Sequence, residues 1–317
     1  MTTDKPEAGG PIAHFALEHY RFIRASGPDT KTFLQGQVTC DTYKISSSRS
    51  VPGALCNLKG RAIANFRALE VDGDVLLQVS AGLQDKVLAI LKKYAVFSKL
   101  TLSVEDNFQA IGLHIPVDAE GDAAQQLLGV SIPADLGAAS PLLDGGAILR
   151  TELRGRPVIG LEVWGSIERL DALGAKLSNL GISCSTASWI EAENLSGIAH
   201  ITEALSEEYT PALLNYDLSG VVDFKKGCYT GQEIVARMFY RSTPKKRLFA
   251  LRAQTPLGSS LAVVDQSGAN ESLGEAFSIT THSALAILPI DAALRKLASS
   301  DGESLEALEL IYPASEV

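Results

Sequence analysis

Long apolar runs are missing from this chain: every hydrophobic stretch is broken by Asp, Lys, Arg, Gly or Pro before the roughly 18 to 20 residues that a bilayer-spanning helix needs. That argues against a helical membrane protein. Met1 to Gly10 carries Asp4 and Glu7 and has neither an apolar core nor an Arg-rich amphipathic pattern, so no secretory signal or transit peptide is visible and a cytoplasmic protein is expected. Closely spaced cysteine pairs are also absent. Cys40, Cys56, Cys184 and Cys228 stand singly, which disfavours a zinc ribbon or a thioredoxin-like pair, and no metal site is expected. Among the five histidines, His14 and His200 have no second His or carboxylate at metal-ligand spacing, so surface or satisfied-core roles are expected. Tandem repeats and low-complexity tracts are lacking too.

What is present is a globular composition. The chain has 317 residues, 46% hydrophobic and 21% charged, enough for two to three domains with a sizeable core. Net charge is −9, which opposes non-specific binding to nucleic acid, because that binding draws on counterion release at a basic surface. The charge is uneven. Between Lys225 and Arg247 lie Lys225, Lys226, Arg237, Arg241, Lys245, Lys246 and Arg247 against the single acid Glu233. A basic island in an acidic chain suits a small polyanion or an acidic partner better than a duplex; its plainer reading is a solvated basic face.

Periodicity gives an α+β reading. Asp29 is placed to cap a short helix through Phe33 and Leu34, with Gly36 ending it in a left-handed conformation. Ala62 to Leu69 and Val75 to Val79, joined by Asp72-Gly73-Asp74, read as a hairpin. Leu83, Val87, Ile90 and Leu91 recur at helical spacing. The alternation returns as strands at Ile148 to Leu153 and Val158 to Val163 and a helix from Ile167 to Leu180 ended by Gly181, with Trp164 and Trp189 packing that unit. Beyond Thr243-Pro244, the short strands Leu248 to Arg252 and Leu261 to Val264 and spacers such as Gln266-Ser267-Gly268 predict a small barrel-like domain ending near Tyr312-Pro313.

Residues 226 to 233 read Lys-Gly-Cys-Tyr-Thr-Gly-Gln-Glu, followed by Ile234-Val235-Ala236-Arg237. Thr230 and Glu233 have capping-box spacing, which predicts a helix starting at Gly231. Gly227 and Gly231 permit backbone angles or ligand approaches that a side chain would block. Cys228 precedes that helix start and follows Lys226 by two residues; a positive helix end and an ammonium both favour thiolate. The alternative is a small buried hydrophobe.

This octapeptide resembles the signature of the YgfZ family, whose members are similar to the T-protein of the glycine cleavage system and to the folate domains of dimethylglycine and sarcosine dehydrogenases. Flanking stretches agree: Phe33-Leu34-Gln35-Gly36-Gln37-Val38-Thr39 with Asp41, the Lys59-Gly60-Arg61 turn, and Lys246-Arg247. The middle loop departs, with Pro211-Ala212 where the family has Pro-Gln, although Asn215-Tyr216 is retained.

The resemblance implies a T-protein-like folate-binding α+β fold: two interleaved α+β domains and a C-terminal β-barrel around a central channel that holds tetrahydrofolate. It places the first domain at 1–28 and 108–195, the second, with the Lys-Gly-Cys motif, at 29–107 and 196–242, and the barrel at 243–317. It further implies an accessory role for iron–sulfur proteins, including those that thiolate tRNA, with no direct nucleic-acid or membrane partner. Cys228 would be the working residue, as a transient cluster ligand, a repairing thiol or a nucleophile toward folate-bound formaldehyde. Lys226 would tune it or meet the ligand's glutamate carboxylate, and Arg237 would steer that tail. The other candidates around the ligand are Gly227, Tyr229 as an aromatic wall, Gly231, Gln232, Glu233, Arg61, Asn65 and Asn215. Glu191 is a weaker candidate for the pterin edge, since a charge in its helical pattern is usually solvated.

The T-protein aligns its chemistry with an Asp on the strand after this turn. Ala64 and Asn65 stand at the two aligned positions, and Arg61 to Leu69 contains no carboxylate. Proton transfer by a placed side chain contributes about 10²- to 10⁴-fold, so efficient aminomethyltransferase activity is not expected. A one-carbon transferase with its acid elsewhere and a direct RNA-binding module are the other readings.

Overall fold

The computed structural model describes residues 11–117, 127–143, 145–151, 153, 158–267, 271–310 and 312. The readings made at Met1–Gly10, Gly268 and Pro313 lie outside them, as does Glu152 of the Ile148–Leu153 strand. The helices among the described residues include α1 (Thr30–Gln35), α2 (Gln84–Tyr94), α3 (Ile167–Leu180), α4 (Thr186–Leu195) and α5 (Gln232–Arg241). Two compact units divide the chain: Met1–Lys31, Thr42–Val51 and Arg67–Trp189 form the first, and Thr32–Asp41, Pro52–Phe66 and Ile190–Val317 the second. The chain thus passes between units several times.

In the first unit six strands lie in the order Gly181–Cys184, Ile12–Ala16, Phe108–Pro116, Val158–Ser166, Ala147–Thr151, Ala139–Pro141. Side chains alternate across the sheet, so neighbouring residues enter different cores. Leu161 and Val163 join Leu170 and Leu177 of α3, whereas Trp164 joins Phe15, Phe22 and Trp189. Trp164 and Trp189 are fully buried, as their size demands. Trp189 lies 5.5 Å from the Phe15 ring and stacks on His114 at 5.2 Å. The buried Glu162 is held by Gln78 Nε2 at 2.6 Å and Trp164 Nε1 at 2.8 Å, which satisfies a carboxylate that burial would otherwise penalise.

The expected hairpin joins Ala62–Val71 to Asp74–Ser80 through Asp72 (φ 53°) and Gly73 (φ 85°), the two positive angles that a tight turn matching strand twist requires. In α2, Val87 and Leu91 are buried behind Leu83. Two helix-end readings are corrected. Asp29 uses its carboxylate to accept the Lys99 N–H at 2.6 Å, and Gly36 has no positive φ. Gly181 does end α3, in extended backbone: it starts a strand beside Ile12–Ala16, and a Cβ there would lie 2.1 Å from the Ile12 carbonyl oxygen.

The second unit holds a six-stranded antiparallel sheet in the order Leu297–Ser299, Ala262–Asp265, Glu271–Phe277, Ser283–Pro289, Lys246–Ala253, Leu305–Leu308. Ala298 bridges to Ser304, just before the opposite edge strand, so the sheet nearly closes on itself around Leu251, Val263, Ala286 and Leu288. This is the barrel-like element expected after Pro244. No helix among the described residues is long and apolar enough to cross a membrane.

Candidate functional site

Two stretches nearly two hundred residues apart in sequence are fastened together in the second unit. Lys226, buried, donates from Nζ to the carbonyls of Gln35 and Val38, each at 2.6 Å. Thr230 N–H donates to Gly36 O at 3.2 Å, Asp223 N–H to Thr39 O at 3.0 Å, and Thr39 Oγ1 to Val221 O at 2.6 Å. Lys226 therefore supplies donors to carbonyls at and after the end of α1, which has no further turn to use them. Burial pushes its ammonium below the usual lysine range, while Cys40, Asp41, Asp223 and Cys228 draw it back up. Its Nζ also sits 5.0 Å from the centre of the Tyr229 ring.

The capping box does not form as expected. Gly231 is the N-cap, at φ 84°, with no side-chain cap, and α5 begins at Gln232. A Cβ on Gly231 would lie 2.4 Å from Asn57 O and 3.3 Å from Cys56 Cβ, so the close approach of the 57–61 turn decides the local geometry. Gln232 Oε1 accepts the Tyr229 N–H at 3.2 Å in place of the reciprocal Thr–Glu pair. The same turn presses on α5 again: Gly60, at φ 69°, has Ile234 Cβ 2.8 Å from where its own Cβ would be. Asn57 braces the turn by accepting the Lys59 and Arg61 N–H groups at 2.9 and 3.0 Å, and its amide donates to Glu207 at 2.7 Å.

Cys228 is exposed, as are Gly227, Glu233 and Arg237, whereas Tyr229 is buried and Gln232 half-buried. Gly227 has no positive φ and nothing within 4 Å of a built Cβ, so the chain itself does not require a glycine there. The Tyr229 hydroxyl is buried without a hydrogen-bond partner among the described residues, and burial raises its pKa. Phe224 stacks on Phe239 at 3.8 Å, and Lys225, Arg237, Arg241 and Lys245 are exposed.

The remaining candidates lie elsewhere in the unit. Arg61 is exposed and donates to the carbonyls of Glu207, at 3.3 Å, and Glu208. Asn215 is buried at φ 57° with its amide committed: Nδ2 donates to Leu248 O at 3.0 Å and Tyr312 Oη at 2.8 Å, and Oδ1 accepts from Arg247 at 3.3 Å. Arg247 forks onto Asp217 at 2.7 and 2.9 Å. Glu191 is not merely solvated: Thr280 Oγ1 at 3.0 Å and His282 N–H at 3.2 Å donate to it. His200, isolated in sequence, lies 3.2 Å from Asn65 Nδ2 and 3.2 Å from Glu193 Oε1. Neither His200 nor Glu193 was selected from the sequence, because their partners are set by folding.

Cys40 and Cys56 are buried, and burial pushes each thiol up to about 12. Thiols that stay protonated are poor nucleophiles. Ellman's reagent at pH 8 is therefore expected to react first with Cys228, more slowly with the half-buried Cys184, and with Cys40 and Cys56 only on unfolding; fast labelling of either buried thiol would contradict this placement. Among the described residues no three His, Cys, Asp or Glu are grouped to hold a metal ion. A cleft of about 590 Å³ in the first unit, floored by Leu128, Leu142, Val163 and Leu173, contains none of these candidates.

No family model matches the chain. It is 31% identical over 246 residues to the tRNA-modifying protein YgfZ of Klebsiella pneumoniae, covering 76% of this chain and 72% of that protein. The protein of the same name from Colwellia psychrerythraea is 31% identical over 257 residues, covering 80% and 76%. Among solved structures, the glycine cleavage system aminomethyltransferase T from Bartonella henselae superposes with a TM-score of 0.74 over 98% of this chain and 87% of that one, at 16% identity. That likeness establishes the T-protein fold.

Proposed function

The chain belongs to the YgfZ family of tRNA-modifying proteins, and on that premise we propose that it binds tetrahydrofolate beside the Lys226–Glu233 loop and supports iron–sulfur enzymes, including those that thiolate tRNA, through Cys228. The observation that carries this reading is the placement of Cys228: an exposed thiol on a loop held from behind by the buried Lys226. A thiol so placed can meet a partner protein or a ligand, whereas Cys40 and Cys56 cannot.

The residues present fit a reduced folate. The partnerless Tyr229 hydroxyl is the kind of buried polar atom that a ligand group or water satisfies. Gly227 leaves open backbone where a flat ring could approach, and Lys225, Arg237 and Arg241 suit the glutamyl carboxylates. Bound tetrahydrofolate would supply a carrier for a one-carbon unit. The chain's own part is to hold the ligand and present the thiol. Asn215, its amide spent on the barrel strand, acts in this reading by shaping the loop.

Lys226 serves here as a clamp for the loop. Ala64 is buried and Asn65 neutral, so no acid stands where the T-protein has one, and efficient aminomethyl transfer is not part of the proposal. The three-domain division and a cytoplasmic location belong to the same reading. In cells lacking their own family member, this chain is expected to restore thiolated tRNA and Cys228→Ala to restore none. Equal restoration by the variant would remove the thiol from the function.

A further inference from the structure

Asn65 sits in the strand Ala62–Val71 with its amide oriented by its surroundings. Its Oδ1 accepts the Ile201 backbone N–H at 2.7 Å, which makes that atom the oxygen. Nδ2 is therefore the atom 3.2 Å from His200 Nδ1, and since an amide nitrogen only donates, Nδ1 must accept. The ring proton then belongs on Nε2, which donates to Glu193 Oε1 at 3.2 Å. Glu193 is 5% exposed, so the carboxylate anchoring this chain of bonds is fixed within the fold. Asn65 and His200 are both half-buried and reachable. The second Nδ2 proton has no partner among the described residues.

We propose that Glu193 and His200 are positioning residues that lock the Asn65 amide as a hydrogen-bond donor, so that the site selects a heterocycle presenting an acceptor, an oxo group or ring nitrogen, over one presenting a donor. Every hydrogen bond in the series constrains the next: reversing the amide would set its N–H₂ against the Ile201 N–H and its oxygen against an imidazole nitrogen that carries no proton. A partner two bonds away thereby fixes which atom meets the ligand, as outer residues fix the tautomer of metal-binding histidines.

The inference rests on the proposed folate site in taking tetrahydrofolate as the ligand. Calorimetric titration of the full chain with tetrahydrofolate separates the two. Asn65→Asp keeps the shape and can still accept from Ile201 but offers no N–H, and it is expected to weaken binding about 10-fold or more. His200→Phe leaves the amide held by the Ile201 N–H alone, with Nδ2 unanchored, and is expected to weaken binding about 3- to 10-fold. His200→Gln can accept from Asn65 and donate to Glu193, and is expected to recover most of that loss, a rescue that a purely space-filling role would not show. If wild type binds and Asn65→Asp binds equally well, or if His200→Gln behaves as His200→Phe, the lock is wrong and the folate site stands. If wild type does not bind, both fall. Circular dichroism on each variant identifies any that fail to fold, and the near-isosteric Asn65→Asp still decides the question if His200→Phe is among them.

Discussion

Gly231→Ala is expected to lower the melting temperature by about 10 °C and to destroy the order of the Lys226–Glu233 loop. Two independent penalties act at this residue. Its φ of 84° lies in the left-handed region, where a Cβ costs about 1–2 kcal/mol. The new methyl would also lie 2.4 Å from Asn57 O, and that oxygen cannot move freely because it accepts the Gly60 N–H at 2.9 Å. Overpacking of this kind costs about 1–3 kcal/mol. Together they come to roughly 2–5 kcal/mol, at about 2–4 °C of melting temperature per kcal/mol for large domains. Calorimetric melting of the variant checks this. A loss under about 3 °C would mean that the 57–61 turn is not pressed against the start of α5.

Lys226→Met should cost about 2–4 kcal/mol, because two carbonyls, the part-buried Gln35 O and the buried Val38 O, lose the donors that hold them at 2.6 Å. Removing a buried charge offsets part of that. The fold should survive, since Thr39, Asp223 and Thr230 still bridge the two stretches. Faster amide exchange confined to residues 32–41 and 223–232 is the expected signature. A pH effect accompanies it. Burial holds the native ammonium below its ordinary 10.5, so between the lowered value and 10.5 the unfolded chain binds the extra proton. By linkage, stability from this group rises with pH through that window. The neutral amine still has two protons for its two carbonyls. Wild type should show this alkaline gain relative to Lys226→Met; parallel stability–pH curves would contradict it.

These residues also show where sequence reading succeeds. The Asp72-Gly73 hairpin, α2 and the ends of α3 follow from turn chemistry and period, both local properties. The octapeptide was legible as a motif, and the joining of residues 33–39 to it was implied only by family resemblance. Its internal geometry was misread because a non-local neighbour decided it. Thr230 and Glu233 have the spacing of a capping box, but Asn57 O occupies the space beside Gly231 and forces a left-handed N-cap. Only two residues separate Lys226 from Cys228, and nothing local announces that the Lys226 donors go to carbonyls 191 and 188 residues away. His200 looked isolated for the same reason, with Asn65 135 residues distant. Glu191 carries a charge in a helical pattern, and nothing local announces that Thr280 and His282 will meet it.

The account depends on Cys228 lying where tetrahydrofolate binds, and the rate of its alkylation tests that directly. Iodoacetamide labelling of the native protein, followed by peptide mass spectrometry at residues 227–237, can be timed with and without saturating tetrahydrofolate. Bound ligand is expected to slow modification of Cys228 at least about 10-fold while leaving Cys184 unchanged. An unchanged rate at Cys228 under conditions where tetrahydrofolate is shown to bind would put the ligand away from the thiol and contradict the proposed site.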